Sequence, residues 1–414
     1  MGLFDNIWGK KPEKVELSAA KPKIKDSTIK FSASPNEVRK ALETPLIIKE
    51  RGRSWMKYGS DNRYPDILNN LAQMSPIHSG IVNGRARCSA GRSLLFDGLK
   101  WPEWRQGAAP EELAIVDFFL KACGDLEELK NKLAYDYVVS GSFYLEIRWS
   151  LDFSRIASIS YIPWFRIRPE EEDEEGVIRR YWYSKRWNDE KGERRIEPVA
   201  FPAFDPSLQV LEGEIPEDHP KEWTQILAVK RTTTQEYFGE PTYISAVDDI
   251  YTDSMLQNYL LNTARDGFTP SVVVSLPGKP NSQEEADLEV RGIEERFSIL
   301  GNAKKVLVTR GDDNGNFAKI DTLSVQNFDT SVTSLKEIIT QNILCAHSVT
   351  SPELFAVPVP GKLGGSDLEI QWNIFYNNTI LPDRQPVEST INRLLKINGG
   401  QTQITFETIK TFEV

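Results

Sequence analysis

The chain has 414 residues, of which 40% are hydrophobic and 27% charged, so it has enough apolar surface for one large folded domain or about two or three smaller ones. No apolar run approaches the roughly 18–20 residues that cross a bilayer, and Met1 to Lys10 lacks the apolar core of a secretion signal. The formal net charge is -10, which argues against a basic surface that binds DNA tightly. The chain has three scattered cysteines and three histidines, which argues against a zinc site and against histidine-based catalysis.

Residues 1–30 are rich in lysine and poor in large apolar residues, which predicts a mobile N-terminal arm. The start of the arm differs, because Leu3, Phe4, Ile7 and Trp8 would share one face of a helix. This pattern fits either a frayed amphipathic turn or a short peptide that docks on a partner, and the residues leave both open.

The next part of the chain predicts several helices followed by a β-hairpin. Prolines in the first turn mark helix starts, apolar stripes mark helix faces, and strict alternation marks the strands. The predicted elements are helices that begin at Tyr64 and Ser75, helices over 111–121 and 125–140, and strands over 142–149 and 156–162.

The segment 163–235 is rich in predicted strands and turns. Its acidic run, Glu170 to Glu175, predicts a solvated hairpin tip because like charges repel; a weak cation site is the alternative. Several aromatic residues follow among arginines and lysines, and they are Tyr181, Trp182, Tyr183 and Trp187. They fit strand residues with paired neighbours, or rings that stack on nucleic-acid bases.

Two long helices enclose a small α/β insert. The turn at Phe238–Pro241 predicts a first helix that runs to about Arg265, and apolar spacing predicts a second helix that begins near Asp329. Polar residues interrupt both apolar faces, so a monomer would bury these helices poorly, whereas a ring that packs them side by side would use both faces.

The last part of the chain begins with a predicted loop over 351–366, which contains three prolines and three glycines. A helical stretch is expected from Asp367, with a break at Pro382 and Pro386, because proline interrupts the helical hydrogen bonds. Residues 402–406 are predicted as a strand.

The sequence lacks a convincing catalytic or metal-binding motif. Residues 361–366 do not match a phosphate-binding P-loop. Asp248 and Asp249 would point about 100° apart on a helix. Cys345 and His347 are neighbours on a predicted helix, where structural burial explains the histidine better than a nucleophilic dyad does. We therefore expect no catalytic residue, no cofactor and no metal.

The order of these parts resembles that of the portal proteins of tailed bacteriophages over roughly residues 55–400. The motifs that carry the resemblance are Tyr58-Gly59-Ser60-Asp61-Asn62-Arg63-Tyr64-Pro65, Ser75-Pro76-Ile77-His78-Ser79-Gly80-Ile81, Phe238-Gly239-Glu240-Pro241 and Ser351-Pro352-Glu353-Leu354-Phe355-Ala356-Val357. The resemblance implies an α+β fold with a strand-rich wing, two long stem helices that flank a small α/β clip, a tunnel loop before a kinked helix, and assembly into a ring.

The same resemblance assigns a part of that fold to each segment. The segments are an arm at 1–30, the wing at 31–240, a first stem helix at 241–266, the clip at 267–328, a second stem helix at 329–350, the tunnel loop at 351–366, wing helices at 367–400, and a C-terminal strand at 401–414 with a minimal or absent crown.

The resemblance also implies two groups of functional residues. Those expected to pack between stem subunits are Val247, Tyr251, Met255, Leu335, Ile339 and Ile343. Those expected to face DNA from the tunnel loop are Val357, Pro358, Val359, Pro360, Gly361, Lys362 and Leu363.

A portal protein of this kind would be a non-enzymatic virion component, assembled in the host cytoplasm as a ring of about twelve copies at one capsid vertex. Double-stranded DNA would pass through the ring. The other expected partners are the terminase large subunit, a head–tail adaptor and the major capsid or scaffolding protein, with no membrane. The acidic charge suits a channel that must not hold DNA. Two alternatives are a metal-dependent, nuclease-like enzyme that uses Glu170 to Glu175, and another head-completion or baseplate protein.

Overall fold

The computed structural model describes residues 47–48, 55–59, 62–187, 196–211, 215–232, 237–265, 273–276, 307–310, 328–355 and 368–409. The predicted arm, most of the predicted clip and all seven predicted DNA-facing residues lie outside these ranges.

The described residues form a mixture of helices and short strands. The helices are α1 (Tyr64–Met74), α2 (Pro76–Ala90), α3 (Trp101–Gly107), α4 (Pro110–Cys123), α5 (Leu126–Ser140), α6 (Val247–Arg265), α7 (Phe328–Ala346), α8 (Leu368–Phe375) and α9 (Leu381–Ile397). The strands are β1 (Ile47–Ile48), β2 (Lys57–Tyr58), β3 (Leu94–Phe96), β4 (Leu99–Lys100), β5 (Ser142–Trp149), β6 (Ile156–Ile162), β7 (Ile167–Pro169), β8 (Arg180–Tyr183), β9 (Val199–Pro202), β10 (Thr224–Lys230), β11 (Val273–Leu276), β12 (Leu307–Arg310) and β13 (Ile404–Phe406). None of these helices is long and apolar enough to cross a membrane.

Local capping explains where the first helices begin and end. Ser75 precedes α2, and its Oγ accepts a hydrogen bond from the backbone N–H of His78 at 3.2 Å. Asp125 caps α5 in the same way through the N–H of Glu128 at 3.0 Å. Gly141 ends α5 with a φ of 74°, a left-handed conformation that favours glycine. The predicted helices in this region are confirmed.

The sheets are small and mostly antiparallel. The predicted hairpin is confirmed as β5 and β6, and β10 pairs with the other edge of β5 to give the order β10-β5-β6. Two further three-stranded sheets have the orders β7-β8-β9 and β13-β3-β4. The strands β11 and β12 form a parallel pair in the segment predicted to be the clip.

The central strand β5 separates two apolar cores because its side chains alternate between opposite faces. Phe143, Leu145 and Ile147 face a core built with α4, α5 and α9. Tyr144 faces a second core, which contains α1, α2 and the adjoining ends of the two long helices α6 and α7. The long helices are therefore rooted in the second core.

The helical stretch near the C-terminus differs from its prediction, because the chain does not break at Pro382 and Pro386. Instead, α8 passes through a single π-helical turn, Tyr376–Ile380, into α9. Pro382 has no N–H, and its ring crowds the carbonyl four residues earlier, so the wider π turn accommodates it without ending the helix. Pro386 lies inside α9, where its carbonyl accepts a hydrogen bond from Thr390 Oγ1 at 2.7 Å.

The first long helix also begins later than predicted. After Pro241 the chain makes one 3-10 turn, Ile244–Ala246, and α6 proper begins at Val247. The cause is Tyr243, whose hydroxyl donates to the carbonyl of Val139 at 2.6 Å and so holds this turn against the end of α5. Gly239 lies so close to Gly141 that a Cβ on Gly239 would be 2.4 Å from the Gly141 carbonyl oxygen. The turn is therefore packed backbone against backbone.

Candidate functional site: the long helices and their buried anchor

The pair α6 and α7 is held to the rest of the chain at one end. Val247 and Ile250 of α6 are buried with Ile339 and Ile343 of α7 in the second core. A hydrogen bond from Asn342 Nδ2 to Asp249 Oδ1 at 3.1 Å joins the two helices at the surface.

The outer parts of both helices expose apolar side chains. Met255 and Leu261 on α6 are 45% and 49% exposed, and Leu335 and Ile338 on α7 are 44% and 57% exposed. Several exposed large apolar residues on a pair of helices are typical of a surface that another molecule covers.

The six residues predicted to pack between subunits therefore fall into two groups. Val247, Ile339 and Ile343 are at most 4% exposed, so they hold the helices to their own chain and leave almost no surface for a neighbouring copy. This corrects the expectation for those three. Met255 and Leu335 are exposed and Tyr251 is half-buried, so for these residues contact with another subunit stays a prediction.

A buried polar cluster, which we call the anchor, joins the rooted end of the long helices to α2 and α9. The Nδ1 atom of His78 lies 2.9 Å from His347 Nε2. Arg85 Nη1 lies 3.1 Å from His347 Nδ1 and 2.8 Å from Thr242 Oγ1. Arg85 Nη2 pairs with Asp383 Oδ2 at 2.6 Å. The anchor thus connects four segments that are distant in sequence.

The proton positions in the anchor follow from the arginine. A guanidinium only donates hydrogen bonds, so His347 Nδ1 accepts from Arg85 and His347 Nε2 carries the proton that it donates to His78 Nδ1. His78 then carries its own proton on Nε2, which is buried and has no hydrogen-bond partner among the described residues. Burial, together with the charge of Arg85, lowers the pKa of His78 to about 3 and holds the pKa of His347 well below its usual value, so both rings stay neutral.

The carboxylate of Asp383 binds two arginines. In addition to Arg85, Arg231 Nη2 donates to Asp383 Oδ1 at 2.6 Å, and the Asp383 side chain is 4% exposed. Two charge-assisted hydrogen bonds compensate for removing this charge from water. The next residue, Arg384, donates to the carbonyls of Ser89 and Phe406 at 3.0 Å each. The first turn of α9 is therefore tied to both α2 and β13.

The beginning of the predicted tunnel loop packs directly on α2. Residues Pro352–Phe355 form a 3-10 turn, and the Phe355 ring lies against Gly84, where a Cβ would be 2.4 Å from Phe355 Cε1. Phe355 also contacts Phe375 edge-on, with 5.4 Å between ring centroids. Only a glycine at position 84 allows this approach.

Residues 126–411, more than half of the chain, match the sequence profile of the family described as phage portal protein. The chain belongs to the phage portal protein family. The match includes the turn at 238–241 and the segment 351–357, two of the motifs on which the resemblance to portal proteins was based. That resemblance is confirmed.

Solved structures also resemble this portal protein. A chain of the virion of a native gene transfer agent particle is 14% identical, with a TM-score of 0.49, and the match covers 83% of this chain and 84% of that one. A chain of the neck of the empty particle, computed with C6 symmetry, is 15% identical, with a TM-score of 0.49 and coverage of 83% and 85%. A chain of the native neck, computed with C12 symmetry, is 14% identical, with a TM-score of 0.46 and coverage of 82% and 84%. No curated protein sequence matches the chain.

The acidic run of the portal protein forms the turn between β7 and β8. The carboxylate of Asp173 accepts hydrogen bonds from the N–H groups of Glu175 and Val177 at 3.0 and 2.9 Å, and Arg179 pairs with both Asp173 and Glu175. The hairpin tip that the sequence predicted is confirmed. Across the described ranges, no three metal-binding side chains come together.

The aromatic residues after this turn are strand residues with paired neighbours, one of the two interpretations of the sequence. Tyr181, Trp182 and Tyr183 lie in β8 between β7 and β9. Trp187 donates from Nε1 to the carbonyl of Arg166 at 2.9 Å and packs edge-on against Trp55.

Sequence reasoning explained His347 correctly as a buried residue but missed the anchor around it. His347 is fully buried, whereas Cys345 is exposed, so the two do not form a dyad. One signal was present in the sequence: His78 and Arg85 are seven residues apart on α2, which puts them on the same helical face as Ile81 and Val82 in the second core.

Proposed function

We propose that this portal protein assembles into a ring of about twelve copies at one capsid vertex, and that double-stranded DNA passes through the ring during packaging and ejection. The proposed partners are a terminase large subunit, a head–tail adaptor and the major capsid or scaffolding protein. The role is structural, in a virion assembled in the host cytoplasm. One observation supports the ring above all: the long helices are buried at one end and expose several large apolar side chains on their outer parts.

The energetics favour covering that outer surface. Fully burying a leucine or isoleucine side chain contributes about 1.5–3 kcal/mol, so each half-exposed residue still offers about half of that. Met255, Leu261, Leu335 and Ile338 together offer several kcal/mol at each contact between neighbours. In a closed ring every copy makes this contact twice, once with each neighbour, and no apolar edge is left over.

A second exposed apolar strip extends along α8 and the start of α9. Ile370, Ile374 and Leu381 are 60%, 44% and 40% exposed, and they follow the predicted tunnel loop directly. We propose that this strip also meets a neighbouring copy. The loop between Phe355 and Leu368 would then lie toward the axis, where Lys362 and its apolar neighbours contact the DNA backbone.

The ring is tested by the oligomeric state of Leu335→Asp, measured by mass photometry and negative-stain imaging. Leu335 is exposed in the protomer, so the variant is expected to fold and to remain monomeric because the aspartate would be buried between subunits. Gln341→Asp, at an exposed polar position on the same helix, is the matched control and is expected to form rings. Intact rings from both Leu335→Asp and Ile338→Asp would overturn the assignment of this surface.

A further inference from the structure

A small cleft lies where the sheet β10-β5-β6 meets the sheet β7-β8-β9. The two sheets are joined there by a bridge between Ala203 and Ile226. The cleft has a volume of about 210 Å³. Its lining residues are Glu146, Tyr161, Ile162, Pro163, Arg166, Tyr183, Phe201 and Ile226.

The two charged residues that line this cleft, Glu146 and Arg166, do not pair with each other. The carboxylate of Glu146 already binds Arg148, with 2.6 Å between Oε1 and Nε. Arg166 makes no ion pair with any described residue, and its buried Nε has no hydrogen-bond partner among them. Among the described residues, its guanidinium makes one hydrogen bond, from Nη1 to the hydroxyl oxygen of Tyr183 at 3.5 Å. The cleft therefore contains a guanidinium that makes no ion pair within the described part of the chain.

Hydrogen bonds hold the backbone of Arg166 in place. The N–H of Arg166 donates to the carbonyl of Pro163 at 3.0 Å, and its own carbonyl accepts from the Ser184 N–H at 3.1 Å and from Trp187 Nε1 at 2.9 Å. Such pre-organisation reduces the entropy that is lost when a ligand binds.

Tyr183 supplies a second donor at the same place. Its hydroxyl oxygen accepts from Arg166 and its proton remains available for a ligand. The other tyrosine of the cleft is committed elsewhere, since Tyr161 donates to the buried Asp136 at 2.9 Å. The rest of the lining is largely apolar, with Ile162, Phe201 and Ile226.

We propose that this cleft binds one carboxylate side chain of an acidic peptide segment, with the carboxylate on Arg166 and Tyr183 and the aliphatic stem against the apolar wall. A guanidinium and a hydroxyl that converge on one point match a carboxylate, and the apolar wall matches the methylene groups of glutamate. The volume is below the roughly 300 Å³ at which pockets for larger ligands begin, so the cleft takes one side chain and not a nucleotide.

The acidic segment has two possible sources with the same chemistry. One is the turn Glu170 to Glu175 of a second copy of this chain, which carries six acids on the same hairpin whose base borders the cleft. The other is an acidic segment of a different protein. The binding chemistry does not depend on the proposed ring; only the first source does.

Binding is tested with a fluorescein-labelled hexaglutamate peptide, with hexaglutamine as the uncharged comparison, by fluorescence anisotropy at low salt. We expect saturable binding of hexaglutamate that Arg166→Gln weakens about tenfold or more, since hydrogen bonds to charged groups are the strong ones. Tyr183→Phe is expected to weaken binding severalfold. Arg180→Gln removes the same charge from an exposed β8 position that does not line the cleft, and it is expected to bind like wild type.

Three results would overturn the proposal. They are the absence of saturable hexaglutamate binding at millimolar peptide, unchanged affinity in Arg166→Gln, or an equal loss in Arg180→Gln. Arg166→Lys keeps the positive charge and is expected to retain binding. It is measured in place of Arg166→Gln if the glutamine variant fails to fold.

Carbodiimide cross-linking of Arg166→Lys then identifies the source, because the introduced amine forms an amide with a carboxylate that occupies the cleft. A cross-link to 170–175 of another copy, lost in the monomeric Leu335→Asp background, assigns the second copy. A cross-link to an acidic segment of another virion protein assigns a partner. If only carboxylates outside any acidic segment are cross-linked, the proposal is wrong, whatever the oligomeric state.

Discussion

The Nδ1 atom of His78 and the Nε2 atom of His347 lie 2.9 Å apart, although 269 positions separate the two residues in the sequence. The contact joins the first turn of α2 to the residue directly after α7. Tyr243 packs against both rings, with centroid distances of 4.5 and 4.9 Å. The end of one long helix, the turn before the other and the helix α2 thus meet at one buried point, so a single cluster connects these elements.

The two buried histidines are expected to make the fold less stable as the pH drops below about 6.5, whereas the buried Asp136, whose pKa is raised to about 8, contributes a slope of the opposite sign. An unfolded histidine titrates near pH 6.5, whereas burial lowers the pKa of His78 to about 3 and lowers that of His347 as well. At these two positions the unfolded chain then binds protons that the native state does not, so the stability that the neutral histidines contribute is fully present above about pH 6.5 and declines as the pH approaches 3. Each histidine contributes a slope of up to about 1.4 kcal/mol per pH unit.

Urea unfolding between about pH 7.5 and 5, at a fixed protein concentration, measures this slope. The double variant His78→Asn, His347→Gln removes both titrating rings and is expected to reduce the slope, even if it is less stable at pH 7.5. A wild-type slope that persists unchanged in the double variant would show that other groups cause the pH dependence.

Asp383→Asn is expected to destabilise the protein by about 3–5 kcal/mol, because it leaves Arg85 and Arg231 without their buried counter-charge. Thermal unfolding and calorimetry give the size of the loss. Asp117→Asn is the matched control, since Asp117 is 35% exposed and lies 3.9 Å from the exposed Arg105. A weak, solvated pair of this kind contributes little, so the control should behave like wild type. Equal effects of the two changes would mean that Asp383 does not hold the anchor together.

The contrast between α5 and the anchor shows what the sequence could reveal. The bounds of α5 and β5 were predicted because their signals are local: Asp125 and Gly141 cap the helix, and Phe143, Leu145 and Ile147 alternate along the strand. The anchor was missed because Arg85 lies 157 to 298 positions from its partners, and no local pattern pairs it with Asp383.

The same contrast between local signals and distant contacts explains where the predicted helix bounds were wrong. The break at Pro382 was predicted because proline usually interrupts a helix, but a π turn just before it accommodates the proline and the helix continues. The late start of α6 depends on the distant partner of Tyr243, the Val139 carbonyl. In the two long helices, helical spacing identified apolar positions, yet it could not separate those that face their own core, such as Ile343, from those that are exposed, such as Leu335.

Lys362→Glu tests the proposed contact between the loop and DNA. Lys362 is the one cation in the sequence 351–366, so a ring would repeat its charge around the axis. We expect unchanged folding and unchanged rings, because the substitution removes no apolar residue, but altered DNA packaging or retention, measured as genome copies per particle. Lys362→Gln, which only neutralises the charge, should give a smaller effect in the same direction. Misassembled rings, or packaging and retention like wild type, would remove the proposed role of this loop.

Two glycines on one face of α2 provide the sharpest test of how the loop is held. A Cβ at Gly84 would lie 2.4 Å from Phe355 Cε1, whereas a Cβ at Gly80 would meet nothing within 4 Å. Gly80→Ala is expected to stabilise the protein by about 0.5–1 kcal/mol, as alanine does inside a helix. Gly84→Ala gains the same helical preference but must displace the Phe355 ring, so we expect a net loss of about 1–3 kcal/mol.

The displaced ring gives a second readout at the loop. If Phe355 fixes the start of the segment 356–367 on α2, Gly84→Ala should speed limited proteolysis within that segment, and Gly80→Ala should not. Phe355→Ala removes the clash, so in that background Gly84→Ala should cost nothing further, because the two positions act through one contact. If Gly84→Ala is as stable as Gly80→Ala, or if its cost is the same with and without Phe355, then the packing of Phe355 on α2 does not position the loop.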